Sequence, residues 1–325
     1  MRPSDICWVL TTGEAGMRSQ ALGLAEAVGM TIEEKRIAPR PPYSWLPGGL
    51  VPTPLSALDS TGGPLAPPWP RLVVGCGRRS IGAVLAVKRA SGGAAFAAYV
   101  QNPGWGRRQF DLVAALPHDG VKGPNVVTVP TALNVVTHQR LAAAREEWRT
   151  RLAPTGQPVL GALVGGDNGG YRLSAAVAAR LVRVLKQAHA SHGLFAAITP
   201  SRRTPDAAKL LIANALTAEK FGWIWDGGGK NPYFGILALA DRLIVTGESI
   251  SMISEALVTG RPVHVLPLEG QGKRHDAFLS RIIGEGFVSQ IDGDDLDWSF
   301  AGRGPIDSTA EPARRIRVAL GLEES

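Results

Sequence analysis

Thr246-Gly-Glu-Ser-Ile-Ser-Met-Ile-Ser-Glu-Ala-Leu-Val-Thr-Gly-Arg-Pro-Val-His-Val-Leu-Pro267 reads as the end of one strand, a turn, a helix and a second strand. The apolar run Leu243–Thr246 supplies the first strand and Val263–Leu266 the second. Gly247 allows the turn, and Ser249 is a candidate N-cap whose hydroxyl can accept a free backbone N–H of the first helical turn. The remaining N–H groups of that turn favour an anion. Ser251, Glu255 and Thr259 recur every four residues and share one helix face, while Ile250, Ile253 and Leu257 occupy another and can pack on a sheet. A carboxylate placed where Glu255 stands can accept both hydrogen bonds of a vicinal diol such as a ribose. Gly260-Arg261-Pro262 ends the helix and launches the next strand.

The same alternation runs outward in both directions. Upstream, Ile6–Leu10, Thr31–Ile37, Leu72–Val74, Phe96–Val100, Asp111–Leu116 and Val126–Val129 are strand candidates. Arg18–Val28, closed by Gly29, and Arg79–Ala90 are helix candidates among them. Residues 39–70 break the rhythm with ten prolines and read as a long irregular loop or a small excursion carrying Tyr43, Trp45 and Leu46. Gln139–Leu152 is a solvated helix, and Pro154-Thr155-Gly156-Gln157-Pro158 a linker. A second series begins at Val159–Val164 and continues to the helix Ala313–Leu320. Two successive βα series predict an α/β chain of two Rossmann-like domains, residues 1–153 and 154–325, with parallel sheets facing across a cleft. The last helix can pack back on the first domain. Ligands of such sheets sit beyond the carboxyl ends of the strands.

Bulk properties agree. The chain has 325 residues, 45% hydrophobic and 19% charged, enough for two packed domains and too apolar for disorder. The net charge is +7, but no basic run reaches five residues, so nucleic acid is not an expected partner. Cys7 and Cys76 sit at apolar segments and read as buried thiols of a reducing compartment. The Met1–Leu10 stretch is too short for a signal peptide, and no apolar run approaches a membrane span. A cytoplasmic protein is expected, with peripheral membrane contact left open.

The quoted stretch resembles the donor-nucleotide motif of GT-B glycosyltransferases, above all the type that transfers N-acetylglucosamine to a lipid-linked precursor. There a Glu, a Gly five residues on and a Pro seven residues on precede a strand that ends in Pro. Glu255, Gly260, Pro262 and Pro267 fit that spacing. The resemblance implies that Glu255 binds the nucleotide ribose. A wider resemblance rests on Trp8-Val-Leu-Thr-Thr-Gly-Glu-Ala-Gly-Met-Arg-Ser-Gln20, Gln101-Asn-Pro103, Phe110-Asp111, Pro117-His118-Asp119, Val164-Gly-Gly166 and Ser249-Ile-Ser-Met-Ile-Ser-Glu255. These are similar to the mitochondrial-fission "elongated mitochondria" (ELM) family, itself GT-B-like in fold. Its plant members act in mitochondrial division at the outer membrane, and its bacterial members often carry a sugar-epimerase label. The resemblance leaves the biochemical activity open.

Other candidate ligand-binding residues lie on loops at strand ends. Gly13 and Gly16 open the first helix and permit close backbone approach. The transferases place a His after this glycine loop, where this chain has Met17, Arg18 and Ser19. Arg18 and Gln20 are then expected to hold a phosphate or a sugar instead. The Val164–Gly170 loop, with Gly165, Gly166 and Asn168, resembles a diphosphate cradle. Lys273 and Arg274 follow the strand after Glu255 and can neutralise a diphosphate. His118, beside Asp119, is the candidate general base, since imidazole titrates near neutral pH. Arg78 and Arg79 follow Gly75-Cys-Gly77 in an anion-friendly position that is not a dinucleotide fingerprint, because Ser80 stands where that pattern needs Gly.

A nucleotide-sugar or related phosphorylated small molecule is therefore the expected ligand, with no cofactor and no metal. Metal-independent glycosyl transfer is the candidate activity. The alternative is a non-catalytic scaffold, or a protein resting on an anionic membrane. An NAD-dependent epimerase is rejected: Tyr43, Tyr99, Tyr171 and Tyr233 are followed four residues on by Pro47, Pro103, Ala175 and Leu237, never by the required Lys.

Overall fold

The computed structural model describes residues 5–47, 49–154 and 156–323. Thr155 of the expected linker, and the first four residues of the Met1–Leu10 stretch, lie outside them. Two compact units share the chain: residues 1–135 with 307–325, and residues 136–306. The helix α3, His138–Leu152, groups with the second unit.

Unit 1 is a seven-stranded sheet in the order β3-β2-β1-β4-β5-β6-β7. Its parallel strands are β1 (Ile6–Thr11), β2 (Thr31–Pro39), β4 (Leu72–Cys76), β5 (Phe96–Val100), β6 (Leu112–Ala115) and β7 (Val126–Thr128). The runs in β1, β4 and β5 are almost wholly buried because helices cover both sheet faces. These helices are α1 (Ala15–Val28), α2 (Ile81–Ala90) and the C-terminal α9 (Ala310–Ala319). The last returns to α1, where Arg317 donates to the Ala27 carbonyl at 2.7 Å. Thr131 and Ser308 bond nearby through their hydroxyls at 2.7 Å.

Of the two expectations for the 39–70 segment, the small excursion fits and the wholly irregular loop does not. Leu58–Thr61 forms β3, antiparallel to β2, with Ala38 opposite Asp59. Four residues are too few to show a period of two, so the strand leaves no pattern in the sequence. The open edge of β2 stabilises it by supplying unpaired backbone groups.

Unit 2 is a fully parallel six-stranded sheet, β11-β10-β8-β12-β13-β15. Its strands are β8 (Val159–Val164), β10 (Phe195–Pro200), β11 (Gly222–Ile224), β12 (Arg242–Thr246), β13 (Val263–Leu266) and β15 (Ser289–Gln290). Side chains of β8 alternate between two cores. Val159 and Leu163 face a layer with Trp148 of α3 and Ile236 of α6 (Tyr233–Leu239). Leu160, Ala162 and Val164 face α4 (Ala175–His192) and α5 (Asp206–Glu219). On the first face also lie α7 (Ile250–Leu257) and α8 (Lys273–Gly284).

The chain order fixes where each sheet opens. In unit 2 it runs from β8 outward to β10 and β11, then returns to β12 and goes the other way. The crossovers leave β8 and β12 in opposite directions, so the loops at their carboxyl ends diverge and make a crevice. Unit 1 has the same reversal between β1 and β4.

Candidate functional site

The loops that leave β8 and β12 meet at one carboxylate. Glu248 lies in the turn between β12 and α7 and is fully buried. Its Oε1 accepts the Gly166 N–H at 3.1 Å and the Arg203 guanidinium Nη2 at 3.1 Å. Thr246 Oγ1 accepts the Gly165 N–H at 2.8 Å. Burial raises the carboxyl pKa of Glu248 above its ordinary value, against the pull of the Thr246 hydroxyl, the Gly166 amide and Arg203. Its Oε2 is buried with no hydrogen-bond partner among the described residues. A Cβ on Gly165 would stand 1.7 Å from Glu248 Oε1, and one on Gly166 would stand 2.0 Å from the Arg203 carbonyl. The glycines are thus required by the approach of Glu248 and Arg203. Their two N–H groups are committed inside the chain.

A second wall comes from the loop after β13. Residues Glu269–Gly270 (β14) pair antiparallel with Tyr171–Arg172 (β9) and pin this loop to the one after β8. Tyr171 donates its hydroxyl to Asp276 Oδ1 at 2.6 Å, while Asp276 Oδ2 accepts the Gly272 N–H at 3.1 Å. Burial, with Asp276 adding to it, raises the Tyr171 pKa, so the phenol stays protonated. The His275 ring stands edge-on to Tyr171, with the Glu248 backbone beside it. Burial and then the neighbouring Arg274 lower its pKa, so the imidazole is neutral at pH 7. Asn168 binds Tyr171 through both backbone groups at 3.0 Å and reaches the Glu248 carbonyl with its amide at 3.5 Å.

Helix α7 forms as its sequence dictates. Ser249 caps it by accepting the Met252 N–H at 3.3 Å, and Ile253 and Leu257 are buried. Ser251 is partly exposed in the first turn. Glu255 is turned inward, 8% exposed, and accepts a hydrogen bond from the Tyr233 hydroxyl of α6. Burial, and then the Glu255 charge, push the Tyr233 pKa well up. Lys273 and Arg274 open α8 and are exposed. Gly165, Gly166, Asn168, Ser249, Ser251, Glu255, Lys273 and Arg274 therefore share the carboxyl end of one sheet.

The remaining candidates lie in unit 1. Arg18 is held by Glu34 in a two-pronged pair, with bonds of 2.5 and 2.6 Å. Gln20 is buried and donates to the Gly16 carbonyl at 3.0 Å. Gly13 lies under the Arg36 side chain, which donates to the Thr12 carbonyl at 3.2 Å. His118 sits in the short turn Pro117–Asp119 after β6, its Nε2 4.0 Å from Asp119 Oδ1.

Four residues of the unit 2 site escaped the sequence reading: Glu248, Arg203, Tyr233 and His275. The polar run Ser201-Arg-Arg-Thr204 directly after a strand was the available signal for Arg203. Glu248 was legible as an acid beside a helix cap. Nothing local pointed to Tyr233. Among the described residues no group of three or more His, Cys, Asp or Glu side chains converges as a metal site, and no helix is long and apolar enough to cross a membrane.

Two doubly wound units with the strand orders above define a GT-B-like protein, and solved structures agree. UDP-GlcNAc 2-epimerase from Neisseria meningitidis, bound to UDP-GlcNAc, matches with a TM-score of 0.55 at 11% identity, covering 98% of this chain and 100% of that one. The UDP-GlcNAc 2-epimerase of Methanocaldococcus jannaschii matches with a TM-score of 0.56 at 13% identity, covering 97% and 99%. At such identity the likeness is one of fold. The chain belongs to the mitochondrial fission ELM1 family, whose model matches residues 15–320. Mitochondrial fission protein ELM1 of Arabidopsis thaliana is 28% identical over 277 residues, 77% of this chain and 64% of that protein. An uncharacterized protein of Rickettsia prowazekii (strain Madrid E) is 26% identical over 217 residues, 64% of this chain and 59% of that one. The matched regions thus span about three fifths of these relatives' lengths.

Proposed function

We propose that the protein binds a nucleotide-sugar, or a related phosphorylated ligand, at the carboxyl edge of the unit 2 sheet. The observation that carries this reading is the convergence at the β8/β12 reversal of two helix N-termini, α7 and α8, with Arg203, Lys273 and Arg274. Helix N-termini and guanidinium groups both favour phosphate. The Gly165–Gly170 loop contributes a tight floor. In this reading Glu255 accepts the ribose diol, and Tyr233 aims the carboxylate. The Neisseria epimerase holds UDP-GlcNAc on the same class of fold, which makes UDP-sugars the first ligands to try.

Calorimetry of the whole chain against UDP- and GDP-sugars tests the proposal. At least one is expected to bind, and Glu255→Ala is expected to weaken it by about 1–3 kcal/mol. Absence of binding by every sugar nucleotide at about 1 mM would remove the reading. A variant that keeps full affinity would remove the ribose assignment to Glu255.

A second reading, binding without glycosyl transfer, is favoured by one position. Met17 follows the first glycine loop, and its sulfur packs 2.2 Å from where a Cβ on Gly77 would stand. A thioether can neither take nor give a proton. Slow or no release of free UDP from bound UDP-sugar, beside measurable affinity, is the expected result. Steady turnover would overturn it.

A further inference from the structure

We propose that unit 1 carries a separate site for the phosphate group of a phosphate ester, in the pocket between the segment after β2 and the start of α2. The pocket encloses about 200 Å³ and is lined by Tyr43, Trp45, Leu46, Arg78, Arg79 and the small residues opening α2. Its lining holds two guanidinium groups and no carboxylate. Neither Arg78 nor Arg79 makes an ion pair or a side-chain hydrogen bond among the described residues. They contrast with Arg18, Arg40 and Arg71 of the same unit, each of which faces an acid. Both are exposed to solvent, and two unneutralised guanidinium groups lining one pocket favour an anion there.

The backbone that presents the arginines is fixed. Ser80 donates its hydroxyl and its N–H to the Gly77 carbonyl, both at 2.9 Å, closing the turn Arg78–Ser80. Gly77 has φ +92, and a Cβ there would meet the Met17 sulfur at 2.2 Å, so the turn admits no other residue without rearrangement. Helix α2 follows with ten residues and no acid in its first turn, and Gly82 and Ala83 leave its N-terminal end open to the pocket. Tyr43 adds a hydroxyl with no partner among the described residues. Every polar side chain here can donate, the set a phosphate oxygen cluster requires.

Size and rim narrow the ligand. A volume near 200 Å³ is below that of pockets for drug-sized molecules, roughly 300 Å³ and upward, so it fits a phosphate with a short stem rather than a whole nucleotide-sugar. Trp45 and Leu46 at the pocket mouth are exposed, as is the indole of Trp105 on the turn Gly104–Gln109. That turn touches the same segment: Gln109 donates to the Gly49 carbonyl at 2.9 Å. The apolar surround suits the organic part of an ester. A soluble ester and a lipid headgroup both carry such a phosphate, and the same pocket chemistry serves both.

Titration of the whole chain with inorganic phosphate, with monomeric dihexanoyl phosphatidic acid and with dihexanoyl phosphatidylcholine separates these sources. Calorimetry and tryptophan fluorescence supply the readouts. The wild type is expected to bind the first two and not the third. Arg78→Gln with Arg79→Gln is expected to weaken both by at least tenfold, while circular dichroism and sugar-nucleotide affinity stay as in the wild type. Trp45→Ala weakening only the phosphatidic acid assigns the rim to the ester's apolar part; equal affinities in that variant assign the site to the phosphate alone. No binding of either phosphate by the wild type, or full binding by the double variant, overturns the proposal. Neither outcome touches unit 2, whose own test is sugar-nucleotide binding.

Discussion

Glu248 and Arg203 form an ion pair that is buried on one side only. The carboxylate is fully enclosed, while the guanidinium, 3.1 Å away, is 41% exposed. The chain thus holds a cation at the mouth of the unit 2 crevice by fastening it to an acid that solvent cannot reach. This makes Arg203 a fixed charge rather than a mobile surface arginine. It also explains why glycines stand at 165 and 166, since any side chain there would displace the pair.

Replacing Gly165 by Ala is expected to destabilise the fold by about 1–3 kcal/mol, because the new methyl would overlap Glu248 Oε1 in a packed interior. Urea unfolding measures the loss. In a Glu248→Ala background the same change is expected to cost much less. Additive losses would show that the clash lies elsewhere.

Arg203→Gln removes the cation paired with Glu248 and is expected to cost about 1–3 kcal/mol near neutral pH. The folded-state pKa of Glu248 is already raised by burial, so its native state holds a proton more readily than the unfolded chain does. Losing Arg203 raises it further. The variant is therefore expected to recover stability relative to wild type as pH falls, because protonation neutralises the buried acid. Unfolding at pH 5 and pH 8 gives the comparison, and an equal deficit at both would contradict this account.

His264, on β13, is buried with its Nδ1 2.6 Å from Ser289 Oγ, its Nε2 3.3 Å from Arg242 Nη1, and its ring against Phe300. Burial and then Arg242 lower its pKa to about 4, with Asp297 acting weakly the other way. The imidazole stays neutral in the fold, while an unfolded imidazole gains a proton below about pH 6.5. Stability from this residue is whole above that pH and falls as pH drops toward 4, by about 3 kcal/mol. His264→Asn is expected to flatten the melting temperature between pH 6.5 and 4. An unchanged slope would clear His264 of the effect.

Tyr233→Phe removes the hydroxyl that holds Glu255 while keeping the ring in the core. If Glu255 receives the ribose, sugar-nucleotide affinity is expected to fall about threefold to tenfold with the fold intact. Binding to a ligand lacking the ribose diol should be unaffected. Equal losses for both ligands would point to a general structural effect.

Local physics made much of the fold legible in advance. The Ser249 cap, the inward Ile253 and Leu257, and the Val159–Val164 strand all follow from neighbours within a few residues. Strand β3 was not legible, because its partner β2 lies about twenty residues away and the pairing has no echo in its own four residues. The site divides the same way. Lys273, Arg274 and Glu255 stood out by type and position. Arg203 and Tyr233 did not, because their partners Glu248 and Glu255 are separated from them by 45 and 22 residues.

From its amino acids alone, this protein was committed to alternating buried strands and covering helices, since hydrophobic period, caps and glycine stops act over short stretches of chain. Which charges stand together was decided only when strand order reversed beside β8 and brought distant loops to one place. Burial then acted on that neighbourhood, since a carboxylate that loses water must find donors among whatever the fold has set beside it.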